Sequence, residues 1–414
     1  MDTAMHPAAD GDRTVDSKST AQGQQTQPGS KIGADPRVTV GYADARDVLA
    51  DTAGFSSRFA LGPDAARAVA AHSSALTGRQ LSYLVMPSSL ACADGPEHRR
   101  LRRIALRGMA PEVLERLRPE ITGAAEELVC GLGIGRPLDF RSKFTEPLVT
   151  VVLAAVLGGE DRYHAEFREW LRAMTAISRT GTVSADLLAG HADHAESFTN
   201  WLGGRISRLR TCPDHSPLAA MVVEAGAQPV PDSDVIRVCH ALVVAAYAPL
   251  TNLLTTLVTS VAADPGMRRK LSADAAVVPR LVEEVLRCHP PLTSTHRTAL
   301  APVTLAGERV VAGTHIRIDL AAAGRDETVF PAAGEIDPDN RTAEHLAFGF
   351  GPHSCVGARL ARMVAVIAIH ALLERFDGLY VQEVPRVTEG SGHVSGQLLF
   401  TRTGHCRADP RRTD

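Results

Sequence analysis

The sequence predicts one large, mainly helical domain with small β sheets, an α+β arrangement. Three observations carry this reading. Helical apolar patterns fill most of the chain, strand signals are short and gather late, and neither a repeat nor a linker interrupts the middle. The 414 residues are 44% hydrophobic and 22% charged, the proportions of a globular protein.

Residues 1–35 are expected to form a disordered polar leader. They are rich in Ala, Asp, Gly, Ser, Thr and Gln, a composition that buries too little apolar surface to offset the entropy of ordering. Residues 36–414 form the single domain. A strand is expected over 37–42 and a helix over 44–50. Helical periodicity then marks 98–109, 112–132, 144–157, 164–176 and 184–209. A long helix runs over 234–263 behind the start signals Pro231, Asp232 and Ser233. At ~1.5 Å per residue it spans about 45 Å, enough to cross a domain. Further helices are expected over 266–271, 275–288 and 358–376. The strand signals are 303–305, 308–310, 315–320 and 379–383, with Pro and Gly marking the turns.

Composition excludes several function classes. A net charge of −3 gives no reason to expect nucleic acid or an anionic membrane as partner, and aromatics at 4% are too few for base-stacking platforms. The longest apolar run, 241–250, falls short of the roughly 20 residues of a spanning helix. The N-terminus carries no apolar signal region. The seven cysteines are odd in number and no pair has metal-ligand spacing, so no disulfide framework is implied. A reduced, cytoplasmic protein is the simplest expectation.

One segment carries chemistry: Phe348-Gly-Phe-Gly-Pro-His-Ser-Cys-Val-Gly357, after a loop and before the apolar helix from Ala358. A cysteine there sits beside a helix N-terminus, whose amides and dipole favour a thiolate. Gly351 lets the loop turn tightly, Gly357 lets backbone approach a flat ligand, and Phe348 can pack on the ligand's face. Taken alone, Cys355 could be a buried structural cysteine. The full spacing Phe-x-x-Gly-x-x-x-Cys-x-Gly arises by chance on the order of once in a thousand chains of this length. It resembles the haem-binding signature of the cytochrome P450 family.

The resemblance extends from about residue 38 to 400 and implies the family's triangular prism, with haem b (iron protoporphyrin IX) between the long helix and the Cys355 loop. It makes Cys355 the iron ligand. Glu284 and Arg287 resemble the family's structural Glu-x-x-Arg pair, followed here by Pro290-Pro291. His98 and Arg102, one turn apart on one helical face, resemble the family's propionate donors. So do Arg297 in Thr295-His-Arg-Thr298, and His353. Singly each is an ordinary surface charge; together they sit at the family's relative positions. By the same resemblance the substrate pocket includes Leu84, Val85 and Met86; Ala245, Ala246 and Pro249; Leu292, Thr293 and Thr295; and Gln397 and Leu398. Arg99, Arg100, Arg103, Arg107, Arg359 and Arg362 are expected to face an acidic ferredoxin, supplied in turn by a ferredoxin reductase. The remaining cysteines have no comparable setting.

Three departures stand out. Family members that activate dioxygen carry an acid followed by an alcohol in the middle of the long helix, as a proton relay. Here Ala248 and Pro249 stand there, with Leu250 following. Pro249 cannot donate to the Ala245 carbonyl, so the helix is expected to open at the place where the family's alcohol opens it. Thr251, two positions late, is the nearest hydroxyl. The candidate catalytic positions are therefore Ala245, Ala248, Pro249 and Thr251. The second departure is a short polar stretch where the family has a first helix. The third is Asn340, with Arg341 beside it, where the family often has the arginine that completes the Glu-x-x-Arg network.

The resemblance implies a monomeric oxidoreductase acting on a small organic or peptide-like substrate, tailoring a bacterial secondary metabolite such as an antibiotic. Three routes stay open: monooxygenation with protons from substrate or water, oxidative coupling or cyclisation, and a peroxide-driven reaction. The rival from another class is a non-catalytic haem protein that recruits or senses.

Overall fold

A computed structural model describes residues 37–39, 41–58, 71, 74, 77, 78, 82, 90–132, 138–159, 165–180, 184–223, 230–339, 344–375, 380–381, 386–388, 393–395 and 400–401. The chain divides into the units Met1–Asp35 and Pro36–Asp414, and every described residue belongs to the second. The expected leader, Leu84 to Met86, Asn340, Arg341, Gln397, Leu398 and Cys406 lie outside the described residues.

Among the described residues the order is β1 (Arg37–Thr39), α1 (Tyr42–Ala50), β2 (Phe55–Ser56), α2 (Gly95–Gly108), α3 (Pro111–Glu115), α4 (Arg118–Cys130) and α5 (Glu146–Val156). There follow α6 (Ala165–Thr180), α7 (Ala185–Thr211), α8 (Pro217–Val222), α9 (Asp232–Ala263), α10 (Pro265–Ala273) and α11 (Val278–Cys288). Then come β3 (Ser294–Ala299), β4 (Val303–Leu305), β5 (Glu308–Val310), β6 (His315–Asp319), α12 (Leu320–Ala323) and α13 (Ala358–Arg375). Two-residue and three-residue strands β7 (Tyr380–Val381), β8 (Arg386–Thr388), β9 (His393–Ser395) and β10 (Phe400–Thr401) close the described chain.

The expected elements are present with revised ends. The first strand is shorter than 37–42. Tyr42 instead starts α1, where its N–H donates to Asp326 Oδ2 at 2.7 Å and its hydroxyl to the Glu344 carbonyl at 2.6 Å. The helix expected over 112–132 is two: proline takes the first turn of each half, as its missing N–H allows. A π-helical turn, Arg141–Thr145, precedes α5. Leu320 begins a helix instead of ending a strand, because Asp319 caps it by accepting the Ala322 N–H.

Helix α9 is the central element. Asp232 and Asp234 sit in its first turn, where carboxylates complement the dipole. By length and composition it could cross a membrane, which the ten-residue apolar run did not reveal; most of it is buried inside the domain. Thr251, Thr255 and Thr259 each return a hydroxyl to the carbonyl one turn back. That spends polar side chains inside the helix, as a buried face requires.

The largest sheet has the order β1-β6-β3-β2, with β1 parallel to β6 and the other pairs antiparallel. Arg297 on β3 pairs with Ile316 in register. Two apolar cores result. The larger packs α9 with α4, α5, α7, α11 and α13; the smaller lies under the sheet around Val48, Leu49, Phe55, Ile316 and Ile318. The segment before Cys355 runs along their seam. Phe348 packs against the first core, Leu346 and Phe350 against the second.

Candidate active site

The cysteine loop is built by close approach. Gly349 and Gly351 both adopt φ +69, a backbone open to glycine. A Cβ on Gly351 would come within 3.0 Å of Ala50 Cα and the Leu49 carbonyl, so α1 seats directly on the loop. The Arg46 guanidinium adds a cation–π contact 4.6 Å from the Phe350 ring. A short 3-10 turn, Gly351–His353, then delivers Cys355 to the head of α13, where its N–H donates to the Phe348 carbonyl at 2.8 Å.

Cys355 is solvent-exposed at the head of α13, although many protein atoms surround its sulfur. Burial pushes its pKa up. The Gly357 and Ala358 N–H groups and the charges of Arg102 and Arg362 pull it down without prevailing. The protein alone thus does not hold a thiolate here; a bound metal cation would. A Cβ on Gly357 would meet only Cys355 Sγ, at 3.9 Å, which leaves a flat group room to approach the sulfur.

Beside this loop, basic groups outnumber acidic ones: the Asp94 carboxylate, which accepts from the Ser56 hydroxyl and the Ser57 N–H, acts on them by charge alone. The His98 and His353 rings stack with centroids 3.7 Å apart. Arg102 donates Nη1 to the Ser354 carbonyl at 2.7 Å and Nη2 to its hydroxyl at 3.0 Å. Arg297 is 4% exposed, yet donates only to the His296 carbonyl and forms no ion pair among the described residues. Burial, then Arg102, lowers the His98 pKa; burial, His98 and Arg297 push His353 down to about 3. A buried arginine without an ion-pair partner, its charge offset only in part by Asp94, beside two imidazoles kept neutral is a site short of negative charge. The two propionates of a haem fit that deficit, and an exposed cysteine with room beside Gly357 fits its iron. The four donors named from the sequence are brought together here, with Phe348 and Gly351 in the same loop.

On α9, Ala245 is exposed and Ala246, Ala248 and Pro249 are half-buried. The helix passes Pro249 unbroken, so the Ala245 carbonyl lacks its ordinary N–H donor. Thr251 does not belong with these residues. It is fully buried and its hydroxyl donates to the Tyr247 carbonyl at 2.7 Å, because helical geometry turns it away from the Pro249 direction. Leu292 is 44% exposed, Thr293 and Thr295 are half-buried, and the Thr293 hydroxyl is buried without a partner among the described residues.

Glu284 and Arg287 form a buried bidentate pair, Nε–Oε1 2.9 Å and Nη2–Oε2 2.7 Å. The other guanidinium donors go to the carbonyls of Gly324, Ala333 and Glu335. Glu284 Oε2 also accepts the Asp337 N–H at 3.2 Å, so a backbone amide serves where the sequence leaves the third partner open. Sequence reasoning missed Glu283, whose carboxylate binds His345 and Arg362; the only signal was its place beside Glu284.

Helices around a cysteine-headed loop, with a cation-rich slot beside it, define a haem-thiolate type of protein. Residues 267–401 match the family model for cytochrome P450. The chain is 30% identical to the mycinamicin IV hydroxylase/epoxidase of Micromonospora griseorubida over 86% of its own length and 87% of that protein. It is 28% identical to the erythromycin C-12 hydroxylase of Saccharopolyspora erythraea, covering 87% and 86%. The open form of the cytochrome P450 EryK from S. erythraea superposes with a TM-score of 0.76 at 25% identity, over 91% of this chain and 92% of that one. The Bacillus subtilis cytochrome P450 CYP109B1 shares the fold, with a TM-score of 0.76 at 23% identity over 88% and 92%. The chain belongs to the cytochrome P450 family and is a cytochrome P450 oxidoreductase, with the haem that family membership implies.

Proposed function

We propose that residues 36–414 bind haem b through Cys355 and oxidise a small organic or peptide-like metabolite in a bacterial tailoring step. The single observation that carries this is an exposed Cys355 at the head of α13, gathered with His98, Arg102, Arg297 and His353. Relatives named as a mycinamicin IV hydroxylase/epoxidase, an erythromycin C-12 hydroxylase and a cyclomarin C epoxidase support the substrate class. When bound, the haem supplies redox and oxygen chemistry that no side chain can. The chain's residues would hold and orient it: Cys355 would bind the iron, Arg102 and Arg297 would balance the charge of the propionates, His98 and His353 would donate hydrogen bonds to them, and Phe348 would pack on the ring. Ala245, Ala246 and Pro249, with Leu292, Thr293 and Thr295, wall the substrate side.

No side chain at Ala248 or Pro249 can carry a proton, and the Thr251 hydroxyl is spent on Tyr247. The Ala245 carbonyl is the acceptor left over. A substrate hydroxyl or amide, or a water held there, then serves as proton source. The same observation supports the second reading, a peroxide-driven reaction that needs no relay. Electrons come from a ferredoxin and its reductase docking on the arginine face of α2, and the protein acts as a cytoplasmic monomer.

Reduced protein under carbon monoxide is expected to show the red-shifted Soret band of thiolate-bound haem, and Cys355→Ser to abolish it. Retention of that band in the variant would sink the assignment. Turnover with a reductase system or with peroxide separates the two catalytic routes, and turnover with neither would favour a recruiting or sensing role.

A further inference from the structure

The carboxylate of Glu283, on α11, grips both limbs of the Cys355 loop. On the upstream limb, His345 Nε2 lies 3.2 Å from Glu283 Oε2, and Nδ1 of the same ring accepts the Ala347 N–H at 3.3 Å. A neutral imidazole whose Nδ1 accepts carries its proton on Nε2, the nitrogen in close contact with the carboxylate though not aligned with it for a hydrogen bond. On the downstream limb, Arg362 of α13 donates Nε to Oε1 and Nη2 to Oε2 of Glu283, both at 2.7 Å. The same guanidinium lies 4.6 Å over the Phe348 ring, and that ring is 6.0 Å from His345. Phe348 in turn accepts the Cys355 N–H. Glu283, His345, Phe348 and Arg362 thus close a ring across the loop that presents the sulfur. Burial raises the Glu283 pKa, but its contacts with His345 and Arg362 prevail and hold it down to about 2, so the carboxylate is charged throughout the working range.

We propose that Glu283 is a positioning residue for the haem ligand: by binding His345 before Cys355 and Arg362 after it, it holds Phe348 beside the sulfur and fixes how firmly that sulfur holds the iron. This rests on Cys355 being the ligand. Glu283 and Arg362 are 41% and 40% exposed. Exposed pairs of that kind add little to global stability. Their effect is therefore local to the loop, and it is distinct from the buried Glu284–Arg287 pair, which faces other partners.

The test is Glu283→Gln in the haem-loaded protein, which keeps the shape and removes the charge. The reduced, carbon-monoxide-bound variant is expected to pass from the thiolate band to the blue-shifted, thiol-bound form severalfold faster than wild type. Its haem reduction potential is expected to shift. Arg362→Lys, which keeps the charge but loses the two-pronged contact, should move both readouts the same way and carries the test if Glu283→Gln takes up no haem. The control is Glu146→Gln at the start of α5, which strips a half-buried carboxylate from Arg141, 3.1 Å away in the preceding π-helical turn. It should leave both unchanged. Wild-type conversion rate and potential in Glu283→Gln would overturn the proposal, as would equal changes in Glu146→Gln. If wild type itself lacks the thiolate band, the Cys355 reading fails first and this inference with it.

Discussion

At the scale of single residues, two substitutions separate specialisation from decay. Ala248→Asp with Pro249→Thr installs the family's acid–alcohol pair. A positioned general acid is worth roughly 10²–10⁴ in rate, so a merely degraded relay should recover a large part of that. If substrate or water at the Ala245 carbonyl is the proton source, the new threonine restores an N–H for that carbonyl and fills the groove. Product formed per electron consumed is then expected to stay level or fall. A severalfold rise in coupling and turnover would reject the specialised site. The second substitution is Glu284→Gln. Glu284 and Arg287 are 6% and 2% exposed, and all five guanidinium N–H groups of Arg287 are used. Neutralising one partner leaves a buried arginine uncompensated, which costs about 3–5 kcal/mol. Urea unfolding at neutral pH reads that loss; a change under about 1 kcal/mol would show that the backbone carbonyls alone carry the charge.

At the scale of elements, α2 works on two faces. Its inner face buries His98, Leu101, Ile104 and Ala105; its outer face shows Arg99, Arg100, Arg103 and the 46% exposed Leu106. The sequence pointed to six arginines for partner docking, and the structure divides them. Arg100 is paired with Asp234 and Arg362 with Glu283, while Arg99 and Arg103 are exposed with no ion pair among the described residues. They line an open cleft with Arg102, Leu106 and Arg107. Charge complementarity acts mainly on encounter rate. Arg99→Glu with Arg103→Glu is therefore expected to slow reduction by an acidic ferredoxin on the order of tenfold at low salt. The two proteins should converge at high salt, where the Debye length falls to about 3 Å at 1 M. Equal reduction rates at low salt would make this an ordinary solvated helix face.

At the scale of the molecule, what the sequence discloses follows from where its information lies. Cys355, Phe348, Gly351 and Gly357 are legible because one short segment holds the ligand, its turn and its neighbour. Glu284 and Arg287 are legible because both sit on one helical turn. Glu283 is not, since its partners come from another helix and from the far side of the loop; nor is the Asp337 amide, which has no side-chain signature. The break between α3 and α4 was hidden by an apolar pattern that continues across it. The same limit conceals a pair of buried histidines between α7 and α9. The Thr199 hydroxyl donates to the Ala195 carbonyl at 2.7 Å, so His240 Nε2, 2.8 Å from it, must donate to Thr199. His240 Nδ1 is then a bare acceptor with no partner among the described residues, beside the Phe198 ring at 5.0 Å. Burial pushes His240 down to about 3 and His191 to about 4. In the unfolded chain both take up a proton near pH 6.5, so their contribution to stability is complete above that pH and lost as it falls toward 4 and then 3. Below 4.5 the paired carboxylates begin to take up protons as well; Glu283 is held down to about 2, but at 41% exposure its share of the stability is small. The haem-loaded protein is thus expected to be steady above pH 7. It should lose up to about 1.4 kcal/mol per pH unit for each histidine below 6.5, and fall more steeply under 4.5. Replacing His191 and His240 by Gln should flatten the stability curve between pH 6.5 and 4.5 and leave the lower limb in place. An unchanged slope in that window would show that the two rings titrate in the fold as they do in water.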